Sequence, residues 1–476
     1  MKRRWSKRAA AFALCGLAAF FAAAPARANS GPAHWQSAPS LSITPLKDCP
    51  VTVAGEDLLF DFTQKTKGSF SPEAKVTAAY RMKNPTAEPL TVQMAFPLIA
   101  SLNDLAAAGG VEISSDGVKL PFEICPGDIK PCTGLTHHYY TESGELVKNP
   151  LPSFSQILKS VSQKTAGQNR FKGTGTLYRI SYPGNAFLSA SVQSKGTDAI
   201  LPGDSLNGIS EGDGKITLES SVGSGLSDEF SFLIFGAGTP EVKAYTDSSR
   251  KTVSPKPPSV ETSRQSADAF FAAQLEKSRI YQAFPSKAFL SRLVSAEKEE
   301  AEEALDKGES VYSAHGMSPV FDGDNCAYDF YEQPRILVLA YEVAFPAGGT
   351  RDVSVSYPMS GSMESEKTAE PIYTYGYLLN PAKGWADFQN LNIRIFPPEK
   401  DPYLVKSSLP FTRSAKGAYT AKFSALPETD LVFSLYQNRQ VEAKSGNLPQ
   451  KIVTVLAVSA VLLAALLLYG RIRKTK

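Results

Sequence analysis

Residues 76–97 read VTAAYRMKNPTAEPLTVQMAFP, and their patterning decides the fold class. Val76, Ala78, Tyr80 and Met82 alternate with Thr77, Ala79, Arg81 and Lys83. Leu90, Val92, Met94 and Phe96 alternate with Thr91, Gln93 and Ala95. Apolar residues at every second position line one face of a strand. Between the arms lies Asn84-Pro-Thr-Ala-Glu-Pro89, a loop bounded by proline. The pattern predicts a β-hairpin with one buried face, ended by Pro97.

Outward from this stretch the same signal recurs. Val111 to Leu120 alternates around Asp116-Gly117, a turn dipeptide. Short strands are expected at 177–182, 216–220 and 230–235, with one helix where Phe154, Ile157, Leu158 and Val161 fall at helical spacing. Further strands are expected from Ile336 onward, at 353–357, 373–379, 391–395, 419–423 and 431–436. Two helices lie between the strand-rich regions, broken at Pro285, with Ser286 as a cap. The acidic run Glu297 to Glu303 in the second helix reads as a solvated face. The expected fold is mainly β: two antiparallel immunoglobulin-like β-sandwich modules with a helical insertion between them, plus one C-terminal transmembrane helix.

The ends of the chain set its topology. Residues 1–28 hold a basic start, an apolar run and Ala26-Arg27-Ala28, the pattern of a cleaved secretory signal peptide. Cys15 belongs to its apolar run. Ile452 to Tyr469 carries no charge and is followed by Arg471, Arg473, Lys474 and Lys476. Eighteen residues at ~1.5 Å per residue nearly match a hydrocarbon core of about 30 Å. Basic flanks stay in the cytoplasm. The chain is therefore expected to sit in the cell membrane as a single-pass type I protein, with an extracellular ectodomain and a short basic cytoplasmic tail. The expected divisions are a signal peptide (1–28), flexible leader (29–44), N-terminal sandwich (45–250), linker (251–264), helical insertion (265–310), C-terminal sandwich (311–436), stalk (437–451), transmembrane helix (452–470) and tail (471–476).

The 50 basic and 47 acidic residues give a formal charge of +3. Six of the basic residues lie in 1–28 and five in 451–476, where there is no acid. What remains, 39 basic against 47 acidic, is an exported region of net −8. Nucleic acid is excluded as a partner, because its binding needs clustered Lys and Arg. The expected partners are the lipid bilayer, through the C-terminal helix, and an extracellular protein or polysaccharide.

Cys49, Cys125, Cys132 and Cys326 remain after export, an even number suited to disulfides. Cys125-Pro-Gly-Asp-Ile-Lys-Pro-Cys132 has turn formers at both ends and reads as a local staple, which leaves Cys49 with Cys326. No H-E-x-x-H, G-x-S-x-G or Walker pattern occurs, so the chain is expected not to be an enzyme and to need no cofactor. Weak ligand-site candidates are His137 and His138 after the Cys loop, and the aromatic set Tyr373, Tyr375, Tyr377 and Trp385. Asp322, Asp324 and Asp329 are weak calcium candidates, since carboxylates suit a hard cation.

Two groups of residues carry a resemblance. The first is Val76 to Thr86 with Thr91 to Pro97. The second is Tyr377-Leu-Leu-Asn-Pro-Ala-Lys-Gly-Trp385 with Leu426 to Tyr436. Together they resemble uncharacterised bacterial cell-surface and secreted proteins of unknown function. The resemblance implies the architecture and brings no catalytic residue. The expected function is a membrane-anchored surface protein with a binding, adhesion or structural ectodomain. The alternatives are an extracellular hydrolase of wall or host polymer, and the sensing subunit of a membrane complex.

Overall fold

The computed structural model of the chain describes residues 30–35, 43–46, 48–63, 71–106, 110–129, 151–161, 171–203, 205–223, 229–306, 335–365 and 367–444. The expected signal peptide, the expected C-terminal span and its tail, Cys132, Cys326, His137, His138, Asp322, Asp324 and Asp329 lie outside the described residues. Among the described residues no helix is long and apolar enough to cross a membrane.

The chain is mainly β. Strands run over Gly31–Trp35 (β1), Ile43–Pro45 (β2), Thr52–Asp61 (β3), Glu73–Lys83 (β4), Leu90–Ala100 (β5), Glu112–Ser115 (β6), Val118–Lys119 (β7) and Phe122–Ile129 (β8). Then come Gly175–Ser181 (β9), Ala186–Gln193 (β10), Thr197–Pro202 (β11), Leu206–Gly212 (β12), Lys215–Val222 (β13), Glu229–Gly236 (β14), Glu241–Tyr245 (β15) and Ser259–Gln265 (β16). The last group is Arg335–Phe345 (β17), Thr350–Ser360 (β18), Ser362–Glu364 (β19), Ile372–Tyr377 (β20), Gln389–Phe396 (β21), Tyr403–Ser407 (β22), Thr412–Arg413 (β23), Tyr419–Ala425 (β24) and Leu431–Tyr436 (β25). Helices occupy Leu102–Leu105 (α1), Phe154–Val161 (α2), Ala267–Leu275 (α3), Arg279–Ala283 (α4) and Lys287–Asp306 (α5).

The two arms of the 76–97 stretch are strands, but they do not form a hairpin. β4 lies between β3 and β18 in an eight-stranded sheet, whereas β5 lies between β1 and β17 in a five-stranded one. β17 pairs with β5 from Arg335↔Ala100 to Phe345↔Leu90, and β18 pairs with β4 from Thr350↔Lys83 to Ser360↔Glu73. The loop 84–89 is therefore an arch between two stacked sheets. Asn84, fully buried, holds it: its amide donates to the Glu88 and Pro346 carbonyls at 2.8 and 3.1 Å. A second arch, 346–349, lies against the first, with Asn84 N–H donating to Gly349 and Gly348 N–H to Thr86. The apolar faces meet across the core, where the Phe96 and Tyr357 rings stand edge to face at 5.6 Å. Nor does Pro97 end its strand. Among the described residues β1 covers β5 only at Met94 and Ala95, so no described strand lies beside Pro97 on that edge.

The expected pair of consecutive sandwiches is corrected by this pairing. One host unit is built from both ends of the chain, and residues 171–265 are inserted in it. The insert comprises two four-stranded antiparallel sheets, β11-β14-β9-β16 and β12-β13-β10-β15, around Ile180, Leu188, Leu218, Phe230 and Phe232. Its ends meet, because Gly175 pairs with Gln265. The expected linker 251–264 is thus strand in its second half. The other face of the β9 sheet, with Leu177, Leu233 and Phe235, joins the host core beside Phe270 and Phe271 of α3.

Three further expectations need correcting. The supposed flexible leader is tied down: Ser30 is fully buried, its hydroxyl lies 2.7 Å from the Tyr341 phenol, and its carbonyl accepts from Trp385 Nε1 at 2.6 Å. Pro126 and Gly127 form no turn, since they continue β8 alongside β17. Cys49 and Cys125 are buried and form no disulfide among the described residues, and their expected partners, Cys326 and Cys132, lie outside these. Burial pushes the Cys125 thiol up to about 11. Residues 437–444 are not a free stalk, for Ala443 bridges Thr368 and Ala369 N–H donates to Glu442 at 2.8 Å.

Ile336 to Ala340 is buried at every position, because both faces of its sheet are covered. Leu337 and Leu339 face the central core, while Ile336, Val338 and Ala340 pack with Ile157, Leu158 and Val161 of α2.

Candidate binding pocket

A cavity of about 320 Å³ opens where the start of β8 meets the corner between α4 and α5. The sequence builds that corner locally. Phe284 ends α4, Pro285 prevents its continuation, and Ser286 Oγ accepts from the Phe289 N–H at 3.3 Å to start α5. Phe289 and Arg292, one turn apart, then share the helix face turned to β8. Across from them stand Leu120, Phe122 and Ile124, with the Phe122 and Phe284 rings edge to face at 5.9 Å.

Arg292 is the polar group of this apolar cleft, and only 7% of it is exposed. Its guanidinium donates to the Glu123 carboxylate and, at 3.4 Å, to the Ile124 carbonyl. The buried Nε has no hydrogen-bond partner among the described residues. A buried donor left unmatched costs about 1–3 kcal/mol. Glu123 is half exposed, so it balances the arginine charge from the solvent side without filling the cavity. The positive end of the α5 dipole adds to the field at Ser286. The arrangement suits an apolar body carrying one hydrogen-bond acceptor, above all a carboxylate.

Sequence reasoning read Pro285 and Ser286 as a helix break and a cap, and singled out no residue of the pocket as a site. Phe289 was legible as an apolar helix position. The available signal for the rest was Arg292 set directly beside the apolar stripe Phe289, Leu293 and Val294.

The aromatic candidates form no exposed platform. Tyr375 is 1% exposed, stacks on Phe433 with centroids at 5.2 Å, and donates from its hydroxyl to the Pro72 carbonyl at 2.7 Å. Tyr377 meets Phe60 edge to face at 5.6 Å, and its phenol is hydrogen-bonded to that of Tyr80. Burial pushes both of these phenols well above the ordinary tyrosine value. Trp385 is spent on Ser30, and Tyr373, on the same strand face as Tyr375 and Tyr377, is half-buried. The structure brings Tyr375 and Tyr377 together as core, and neither lines a cavity among the described residues.

The acidic run is also not a wholly solvated face. Glu297 is buried, and Glu300 Oε1 accepts from Arg335 Nη1 at 3.0 Å, with Arg335 itself fully buried. Burial raises the Glu300 carboxyl to about 7 against the opposing pull of Arg335. This pair holds the first residue of β17 to α5.

No family model and no curated protein matches the chain. Among solved structures, a "putative nutrient binding protein" from Legionella pneumophila subsp. pneumophila str. Philadelphia 1 is similar at 10% identity and a TM-score of 0.29, over 86% of this chain and 70% of that one. The Fcho1 Mu homology domain of Danio rerio, solved with a bound Eps15 peptide, is similar at 10% identity and a TM-score of 0.14, over 82% of this chain and 80% of that one. At these TM-scores neither likeness carries an argument about function.

Proposed function

We propose that this chain is an exported, membrane-anchored binding protein that takes a small amphiphilic carboxylate into the cleft between β8 and α5. The observation that carries the reading is Arg292, more than nine-tenths buried, lining an apolar cavity with an unmatched Nε donor. The export and anchoring half rests on the signal-peptide pattern of 1–28 and the uncharged run Ile452 to Tyr469. Binding is preferred to catalysis because the ionisable groups of the lining are one arginine and the carboxylate that neutralises it. Ser286, the hydroxyl present, is engaged as a helix cap. On this reading the immunoglobulin-like character foreseen for two modules, 45–250 and 311–436, belongs to the insert 171–265 alone, and the host supplies the pocket.

Titration with 4-phenylbutyrate and its uncharged analogue 4-phenylbutanol tests the reading. The carboxylate should bind about tenfold or more tightly, as expected for a charge-assisted bond. Arg292→Met should remove that preference, and Leu120→Trp should block both ligands by filling the cleft. Equal affinities for acid and alcohol, or binding indifferent to Leu120→Trp, would overturn the assignment.

A further inference from the structure

Two arginines and a tyrosine cluster where the chain leaves the fold. Tyr403, the first residue of β22, pairs with Tyr436, the last residue of the final strand. The Arg413 guanidinium carbon lies 4.7 Å from the Tyr403 ring centroid and 5.5 Å from that of Tyr419. The Arg439 guanidinium lies 5.7 Å from the same Tyr403 centroid. Both arginines are exposed, and neither is in a salt bridge among the described residues. The nearby Glu442 carboxylate is engaged by Asn438 at 3.4 Å. Arg413 Nη2 donates to the Pro402 carbonyl at 3.4 Å, and the remaining donors of the two exposed guanidiniums face solvent.

The tether fixes what that surface can meet. Lys444 N–H donates to the Lys367 carbonyl at 3.0 Å, so the chain is still attached to the fold there. The uncharged run begins at Ile452, eight residues later. Eight extended residues span at most about 29 Å. The cluster is thus confined near the bilayer surface on which the chain is anchored. Arginine forks match phosphate bidentately, and a tyrosine beside them suits the headgroup level.

We propose that Tyr403, Arg413 and Arg439 form a docking site for the phosphate of anionic phospholipid headgroups, seating the ectodomain on its own membrane. The inference rests on the membrane-anchored reading above. Arg439 and Arg413 beside the phenol lower the pKa of Tyr403, and their placement on its ring keeps the three side chains together. The exported region is net acidic, so attraction to an anionic surface has to come from such a local patch rather than from overall charge.

The test places the full-length protein in nanodiscs of phosphatidylcholine alone or with phosphatidylglycerol, and reads hydrogen exchange over 403–418 and 437–444. Phosphatidylglycerol should slow exchange there by about 30-fold, the effect of two arginines near an anionic surface. Arg413→Gln with Arg439→Gln, or 0.5 M salt, should abolish the difference. Protein held in the discs with equal exchange in both lipids would overturn the docking site alone. Equal protection by free inorganic phosphate in phosphatidylcholine discs would overturn the lipid as its occupant. Failure to be retained in any disc would overturn the anchor and the docking site with it.

Discussion

The side-chain amide of Asn84 donates to the carbonyl of Pro346, 262 residues further along the chain, at 3.1 Å. This bond clamps the arch of β4–β5 to the arch of β17–β18, and so joins the two ends of the chain into one host unit. The pocket depends on the same return, because β17 pairs with β8 as well as with β5.

Asn84→Ala should be among the more damaging single substitutions in the host. It strips the Glu88 and Pro346 carbonyls of a donor, and Thr86 N–H and hydroxyl of the acceptor they use at 3.0 and 2.7 Å. Buried groups left unsatisfied cost about 1–3 kcal/mol each, so a loss of roughly 2–4 kcal/mol is expected. Urea unfolding measures it. A change below about 0.5 kcal/mol, the range of ordinary surface substitutions, would show that the arches are held by something else.

Gly31→Ala should destabilise the folded protein by about 1–3 kcal/mol, as overpacking does. A β-carbon there would lie 2.7 Å from Phe154 Cε1 and 2.8 Å from the Pro381 carbonyl oxygen, and the latter is backbone that cannot step aside. Thermal unfolding would report the shift. An unchanged midpoint would restore the flexible leader.

Glu300 makes stability depend on pH. Its carboxyl titrates at about 7 when folded, raised by burial, against an ordinary value of 4.5 when unfolded. The folded state therefore holds this proton more tightly. The group's contribution is complete below about pH 4.5 and is lost as pH rises through about 7. Denaturation midpoints between pH 5 and 8 should fall more steeply for the wild type than for Glu300→Gln. Parallel slopes would place the titrating group elsewhere.

Trp385→Phe should cost about 1 kcal/mol, the net worth of one buried hydrogen bond, because the indole donates to Ser30 at 2.6 Å. Amide exchange at residues 30–35 should accelerate in parallel, since β1 is anchored there. Faster global unfolding with unchanged local exchange at β1 would contradict that role.

The strands were legible in the sequence, and their partners were not. Alternation from Val76 to Met82 tells which side chains point inward, but a hairpin and an inter-sheet arch demand the same alternation. What separates them is Asn84, whose long-range bonds have no local signature. The turn Asp116-Gly117 was read correctly because positive φ at both residues, 50° and 78°, is a local demand that this dipeptide meets. Tyr375 and Tyr377 showed only that they share a face, and burial decided that the face is core. Arg292 and Glu123 meet across 169 residues of sequence, beyond the reach of any spacing argument.

The interleaving of the two chain ends is tested most directly by a cysteine pair at Gln93 and Glu342. These residues face each other in the β5–β17 register, with Gln93 Nε2 donating to Glu342 Oε1 at 3.0 Å. Opposed residues on an antiparallel ladder have Cα atoms about 4.5–5.5 Å apart, within the range that a disulfide bridges. Peptide mapping of oxidised Gln93→Cys/Glu342→Cys protein should yield the 93–342 cross-link in high yield. No such link, together with ready cross-linking of Lys83→Cys/Leu90→Cys across the 84–89 loop, would show a hairpin and contradict the fold.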